Sequence, residues 1–184
     1  MCLALDSILG NQQTHDVREH FDHVFQRLLD TRALSPEYSG EATQGRLTLA
    51  NAINDLATHH EYALHSLPEN DDYSRNIIGI EGTWIGFICR WQPHTMSSIH
   101  GHPSFAYYQV LSGSMLMDIY EPINDRQARQ VSTRDMHPGE SVLSTAPEGR
   151  YDNFVHRVKT KGEPVYTLHL YSDNPAKGKM FETV

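Results

Sequence analysis

Three histidines restrict the architecture of this chain more than any other feature of its sequence. His100-Gly101-His102 carries two imidazoles at i and i+2, and His156 follows about fifty residues later in the strand-like stretch Asn153-Phe154-Val155-His156-Arg157-Val158. Alternate side chains of an extended strand share a face, so His100 and His102 look the same way. A neighbouring strand that brings in His156 closes a face of three nitrogens and leaves the opposite side open. Neutral imidazole suits iron, zinc, copper and nickel, whereas carboxylates and carbonyls suit magnesium and calcium. The pair alone reads equally well as a structural feature of a strand. His156 between Val155 and Arg157 reads as a core histidine or as a third ligand.

The remainder of the chain supports a strand-rich frame for these residues. From Tyr73 onward, segments rich in β-branched and aromatic residues recur: Tyr73 to Ile80, Thr83 to Trp91, Tyr107 to Leu111, Ser114 to Tyr120, Ser141 to Ser144, Phe154 to Val158 and Val165 to Ser172. Trp84-Ile85-Gly86-Phe87-Ile88-Cys89 is almost continuously apolar and suits a strand covered on both faces. Ser112-Gly113 between two such runs signals a compact hairpin. Short strands broken by Gly, Pro and Asn indicate an antiparallel barrel or jelly roll.

The first third reads differently. Val17, Phe21, Val24, Phe25, Leu28 and Leu29 trace the stripe of an amphipathic helix over about Asp16 to Ala33, with Asp16 and Glu19 as its start signal. A second helix is expected from Arg46 to Ser66, with Leu47, Ala50, Ile53, Ala57 and Leu64 on its buried face. The expectation is a mainly β fold, a jelly roll or β-barrel with two N-terminal α-helices packed against it. All of 1–184 then forms one domain, with a helical segment 1–68 and a barrel 69–184. His15, His20, His23, His59, His60 and His65 fall on helical patterns and read as surface residues; His137 reads as a loop position.

Composition narrows the function classes. The apolar fraction is 39%, with no run of eighteen apolar residues, so no membrane span is expected. A net charge of −8 argues against a nucleic-acid binder, which needs basic surface. Met1 to Gly10 lacks the basic start and cleavage site of a signal peptide, and Cys2 and Cys89 lie far apart. A reducing, cytoplasmic setting is the expectation. Pro103 to Tyr107, just after the histidine pair, contains no carboxylate. Three histidines alone leave a divalent ion with its full charge, which favours an anionic further ligand, and a thiolate is soft and easily deprotonated on a metal.

The order of four motifs resembles the cysteine dioxygenase-type thiol dioxygenases, non-haem iron enzymes of the cupin superfamily. The motifs are Tyr73-Ser74-Arg75-Asn76, Ser97-Ser98-Ile99-His100-Gly101-His102, His156-Arg157-Val158 and Leu168-His169-Leu170-Tyr171-Ser172, and the resemblance spans roughly Tyr73 to Ser172. It implies a cupin barrel with His100, His102 and His156 as ligands of Fe(2+), and Arg75 as the group that holds a substrate carboxylate. Without it, Arg75 reads as a surface arginine at a strand end. A guanidinium fork does match a carboxylate in two hydrogen bonds, and Tyr73 shares its strand face. The family's Ser-His-Tyr relay falls here on Thr167, His169 and Tyr171, which share one side of a strand; on their own, His169 and Tyr171 read equally as core residues satisfying one another.

Two departures stand out. Ala106 occupies the position of the cysteine that cross-links to the tyrosine in the animal enzymes, so an unmodified Tyr171 is expected. The loop after His102 is about one residue shorter than theirs. The implied reaction is oxidation of a small carboxylate-bearing thiol by O2 to its sulfinic acid, with L-cysteine first and 3-mercaptopropionate as the nearest rival. A three-histidine cupin that cleaves carbon–carbon bonds is disfavoured by Arg75. A non-catalytic metal-binding cupin sensor is the reading from another class. The pattern sets no oligomeric state.

Overall fold

The computed structural model describes residues 11–30, 67 and 70–184. Helix α1 spans Asn11–Asp30. Ten strands follow: β1 Tyr73–Glu81, β2 Trp84–Trp91, β3 Ile99–His102, β4 Phe105–Ser112, β5 Met115–Pro122, β6 Gln127–Met136, β7 Ser141–Thr145, β8 Asn153–Thr160, β9 Val165–Tyr171 and β10 Met180–Thr183. They make two sheets. One has the order β1-β2-β9-β4-β7; the other, β10-β3-β8-β5-β6, closes on itself through a parallel pairing of β10 with β6.

The continuous apolar runs are explained by burial on two faces. All seven residues of β9 are buried. Tyr166, Leu168 and Leu170 point toward α1, where they join Phe21, Val24, Phe25, Leu28 and Leu29 in one cluster. Val165 and Tyr171 point the other way, into a second cluster with Phe87, Cys89, Trp91, Met115, Met117 and Val158 between the sheets. Each fully buried side chain of this size contributes about 1.5–3 kcal/mol, so the central sheet is fixed from both sides. Gly79 and Gly86, paired across β1 and β2, form the seat for the Phe25 ring. A Cβ on Gly86 would stand 2.6 Å from that ring.

The helix begins five residues before Asp16, because Asn11 to His15 contains no helix breaker. The second expected helix, Arg46 to Ser66, lies outside the described residues, as does any helical continuation to Ala33. The expected hairpin at Ser112-Gly113 is corrected. β4 pairs with β7 and β9, whereas β5 pairs with β6 and β8, so this turn passes from one sheet to the other. Both edges of β4 are already occupied. Gly113 makes the corner at φ 75°, with Pro164 O 2.6 Å from where a Cβ would sit. Strands β6 and β10 were not expected. From Val131 to Asp135 β6 is exposed, and it carries no apolar alternation to reveal it.

Candidate metal centre

Strands β3 and β8 run antiparallel, and His100 lies directly opposite His156. His102 is opposite Asn153, so β8 carries one extra residue between the two pairs. That bulge centres on Phe154, whose φ of 45° is left-handed. For a bulky side chain this conformation costs about 1–3 kcal/mol. With it, the three rings form a nearly regular triangle. Their centroids are 4.9, 4.9 and 4.7 Å apart, and one nitrogen from each lies within 4.8 Å of the other two.

Gly101 between the two histidines is a packing requirement. A Cβ there would stand 2.6 Å from both Tyr151 O and Asp152 Cα, so the backbone ahead of β8 lies flat against β3.

Each imidazole is oriented by a main-chain carbonyl. Nδ1 of His100 donates to Ser98 O at 2.9 Å, Nδ1 of His102 to Asn153 O at 3.3 Å, and Nδ1 of His156 to Phe154 O at 3.1 Å. A carbonyl only accepts, so the proton sits on Nδ1 and the lone pair is left on Nε2. His102 and His156 are buried and His100 keeps a solvent-facing edge. Burial, then the neighbouring imidazoles, lowers the pKa of His102 to about 3 and that of His156 well below its usual value. Burial also lowers that of His100. Three neutral imidazoles with free Nε2 lone pairs are the donor set that a borderline divalent ion requires, so the residues fit a metal.

Strand β9 brings a second group of residues across the sandwich. The Tyr171 ring lies 5.1 Å from that of His102. Nδ1 of His169 is 3.0 Å from the Tyr171 hydroxyl, and its Nε2 is 2.7 Å from Thr167 Oγ1. Trp91 Nε1 donates to the same Oγ1 at 2.8 Å. Thr167 is fully buried, so its hydroxyl proton needs an acceptor; among the described residues that acceptor is His169 Nε2. His169 then donates from Nδ1 to Tyr171, and the phenol proton is left for the space beside the three histidines. Burial holds His169 neutral, lowering its pKa well below the usual value, and raises the pKa of Tyr171 so that the phenol keeps its proton. Phe87 stacks on His169 with centroids 4.8 Å apart and the rings 10° from parallel. Ala106 is the residue opposite Tyr171 on β4, so no sulfur flanks the phenol from that position.

Arg75 stands on β1 with an exposed side chain. Its guanidinium carbon lies 5.3 Å from the Tyr73 ring and 5.9 Å from the Phe87 ring. It is opposite Cys89 in register, and its positive charge favours the thiolate there. Burial outweighs Arg75 and pushes the Cys89 thiol up to about 12, so it stays protonated. The charge of Arg75 also opposes protonation of His100, His102 and His169. Among the described residues no carboxylate pairs with Arg75.

The structure therefore brings the three histidines together, gathers Thr167, His169 and Tyr171 beside them, and sets Tyr73 and Arg75 on the flank. Sequence reasoning missed Trp91, Phe87 and Phe154. Period 2 from Cys89 places Phe87 and Trp91 on the inward face of β2, a signal present in the sequence. The left-handed backbone of Phe154 left none.

No protein-family model matches the sequence, and no curated protein matches it. Solved structures do resemble the fold. A cupin superfamily protein from Desulfitobacterium hafniense is 10% identical with a TM-score of 0.45, over 60% of this chain and 86% of its own. A double-stranded β-helix protein from Klebsiella pneumoniae is 18% identical with a TM-score of 0.46, over 63% and 90%. A hydroquinone 1,2-dioxygenase is 10% identical with a TM-score of 0.47, over 63% and 71%. No helix among the described residues is long and apolar enough to cross a membrane.

Proposed function

We propose that this protein is a non-haem Fe(2+) thiol dioxygenase that oxidises a small carboxylate-bearing thiol to its sulfinic acid. The observation that supports the reading is three neutral imidazoles beside the Tyr171 phenol, with the Arg75 guanidinium against a ring that packs on that phenol. Arg75 lies 5.9 Å from the Phe87 ring, which packs on both His169 and Tyr171.

The overall change is RSH + O2 → RSO2H. Sulfur gives up four electrons, dioxygen takes four, both oxygen atoms finish on sulfur, and no external reductant is needed. Iron held by His100, His102 and His156 would supply the coordination of thiolate and dioxygen on one centre. The chain's own residues position the substrate. Arg75 receives the carboxylate in two charge-assisted hydrogen bonds, and Tyr73, stacked on Trp91 at 4.7 Å, keeps the flank of that clamp in place. Tyr171 holds a proton at its phenol oxygen toward the reacting sulfur, and Thr167 with His169 fixes where that proton points. Phe87, Met115, Met117 and Val158 belong to the buried cluster between the sheets and keep that side of the site apolar.

L-cysteine fits a clamp that requires a carboxylate, and 3-mercaptopropionate shares that requirement without the amine. The test is oxygen consumption by iron-loaded protein with L-cysteine, 3-mercaptopropionate and cysteamine. Uptake with the acids and little with cysteamine is expected. Uptake with cysteamine alone would remove the clamp, and no uptake with any thiol would turn the reading toward a metal-binding sensor.

A further inference from the structure

We infer that Phe154 is a positioning residue whose left-handed backbone aims two consecutive carbonyls at two of the metal-site histidines. The inference rests on the metal-centre reading above and adds to it a part of the chain that the histidine pattern does not reveal.

In a regular strand successive carbonyls point to opposite sides. Here Asn153 O accepts from Nδ1 of His102, and Phe154 O, the next carbonyl along, accepts from Nδ1 of His156. Both rings belong to the same cluster, with centroids 4.7 Å apart. The chain turns between these two neighbouring carbonyls. Phe154 makes that turn at φ 45°, where β8 carries its extra residue against β3. An αL residue at a bulge is ordinarily glycine.

The surroundings hold a phenylalanine in this unfavourable place. Its ring lies 5.0 Å from that of His156 and packs against the inter-sheet cluster. The preceding residue is pinned by its buried side chain. Asn153 Nδ2 lies 3.0 Å from Pro103 O, 3.3 Å from Ser104 O and 3.1 Å from Ser144 O, while its Oδ1 accepts from Ser144 Oγ at 2.7 Å. Asn153 thus ties the start of β8 to the loop after His102 and to β7. Phe154 then sets the direction of both carbonyls, and through them the tautomer and tilt of His102 and His156.

The test compares substitutions that tolerate a left-handed backbone with substitutions that resist it. Phe154→Gly and Phe154→Asn retain the conformation; Phe154→Ile and Phe154→Val, being β-branched, oppose it. Affinity for Co2+ is measured on the full chain by chelator competition, together with the visible spectrum of the bound ion. The Ile and Val variants are expected to bind about 10–100-fold more weakly, with an altered spectrum, while the Gly and Asn variants stay near wild type. Equal losses in all four would assign the effect to the ring and overturn the inference, and so would no loss in any. If the β-branched variants do not fold, slowly exchanging imidazole N–H resonances of His102 and His156 are followed in the Zn2+-loaded wild type and Phe154→Gly. Their persistence in both is expected; their absence from either overturns it. Failure of the wild type to bind one Co2+ would instead overturn the metal centre itself.

Discussion

Trp91 Nε1 donates a hydrogen bond to Thr167 Oγ1 at 2.8 Å, and this contact gives direction to the chain of groups that ends at Tyr171. An indole only donates, so the hydroxyl proton of Thr167 is free to go to His169. Thr167→Val removes that donor and allows His169 to take its proton on Nε2. Tyr171 then donates to His169 in place of the substrate space. The expected result is a kcat lower by about tenfold, the size of one net hydrogen bond, with metal content and KM little changed. Thr167→Ser should restore the rate. Steady-state kinetics with metal analysis checks both.

His156 lies opposite His100 across β3 and β8, and its loss opens one corner of the triangle. His156→Ala is expected to abolish stoichiometric metal binding while the fold persists. Metal analysis after gel filtration, alongside a circular dichroism melt, distinguishes ligand loss from unfolding. Retained metal would remove His156 from the site.

Arg75→Ala removes two charge-assisted hydrogen bonds to a carboxylate and should raise KM for a carboxylate-bearing thiol by about a hundredfold. Arg75 stands on β1, whereas the three histidines are on β3 and β8, so iron content should hold. Arg75→Lys is expected to recover only part of the loss, since an ammonium lacks the planar fork.

The folded protein should be weakened by acid in a defined window. His100, His102, His156 and His169 all have lowered pKa values, with burial as the leading cause in each. The unfolded chain takes up these protons below the ordinary value of 6.5, whereas the folded chain resists, down to about 3 at His102. The stability these neutral histidines give is complete above pH 6.5 and is lost as pH falls through that window, at about 1.4 kcal/mol per proton for each pH unit. Urea denaturation of the metal-free protein at pH 7.5, 6 and 5 measures it. A flat profile would contradict the burial of the site.

Gly101→Ala places a methyl group against fixed backbone at Tyr151 and Asp152. The expected cost is about 1–3 kcal/mol, with weaker metal binding because β3 must move away from β8. A thermal melt and a metal titration read the two effects together.

How much of this was legible in the sequence differs by residue. The period-2 logic that put His100 and His102 on one side holds in space, and the same logic places Thr167, His169 and Tyr171 together on β9. The stripe from Val17 to Leu29 marked α1, and its buried residues meet the sheet at Gly79 and Gly86. Strand β6 stayed hidden because its ladder is formed by backbone groups beneath an exposed, polar set of side chains. The turn at Gly113 misled because a glycine corner serves a hairpin and a passage between sheets alike; only the occupied edges of β4 decide between them. Phe154 was illegible for a different reason. Its neighbour Asn153 is held by Ser144 and by the loop at Pro103, which are close to it in space and distant in sequence.

The most direct test of the central claim is the reaction of anaerobically iron-loaded protein with L-cysteine under 18O2, with mass analysis of the product. A thiol dioxygenase yields a sulfinic acid that carries two labelled oxygen atoms, formed at one equivalent of oxygen consumed per thiol. A disulfide product, or an acid with one label or none, would contradict the claim.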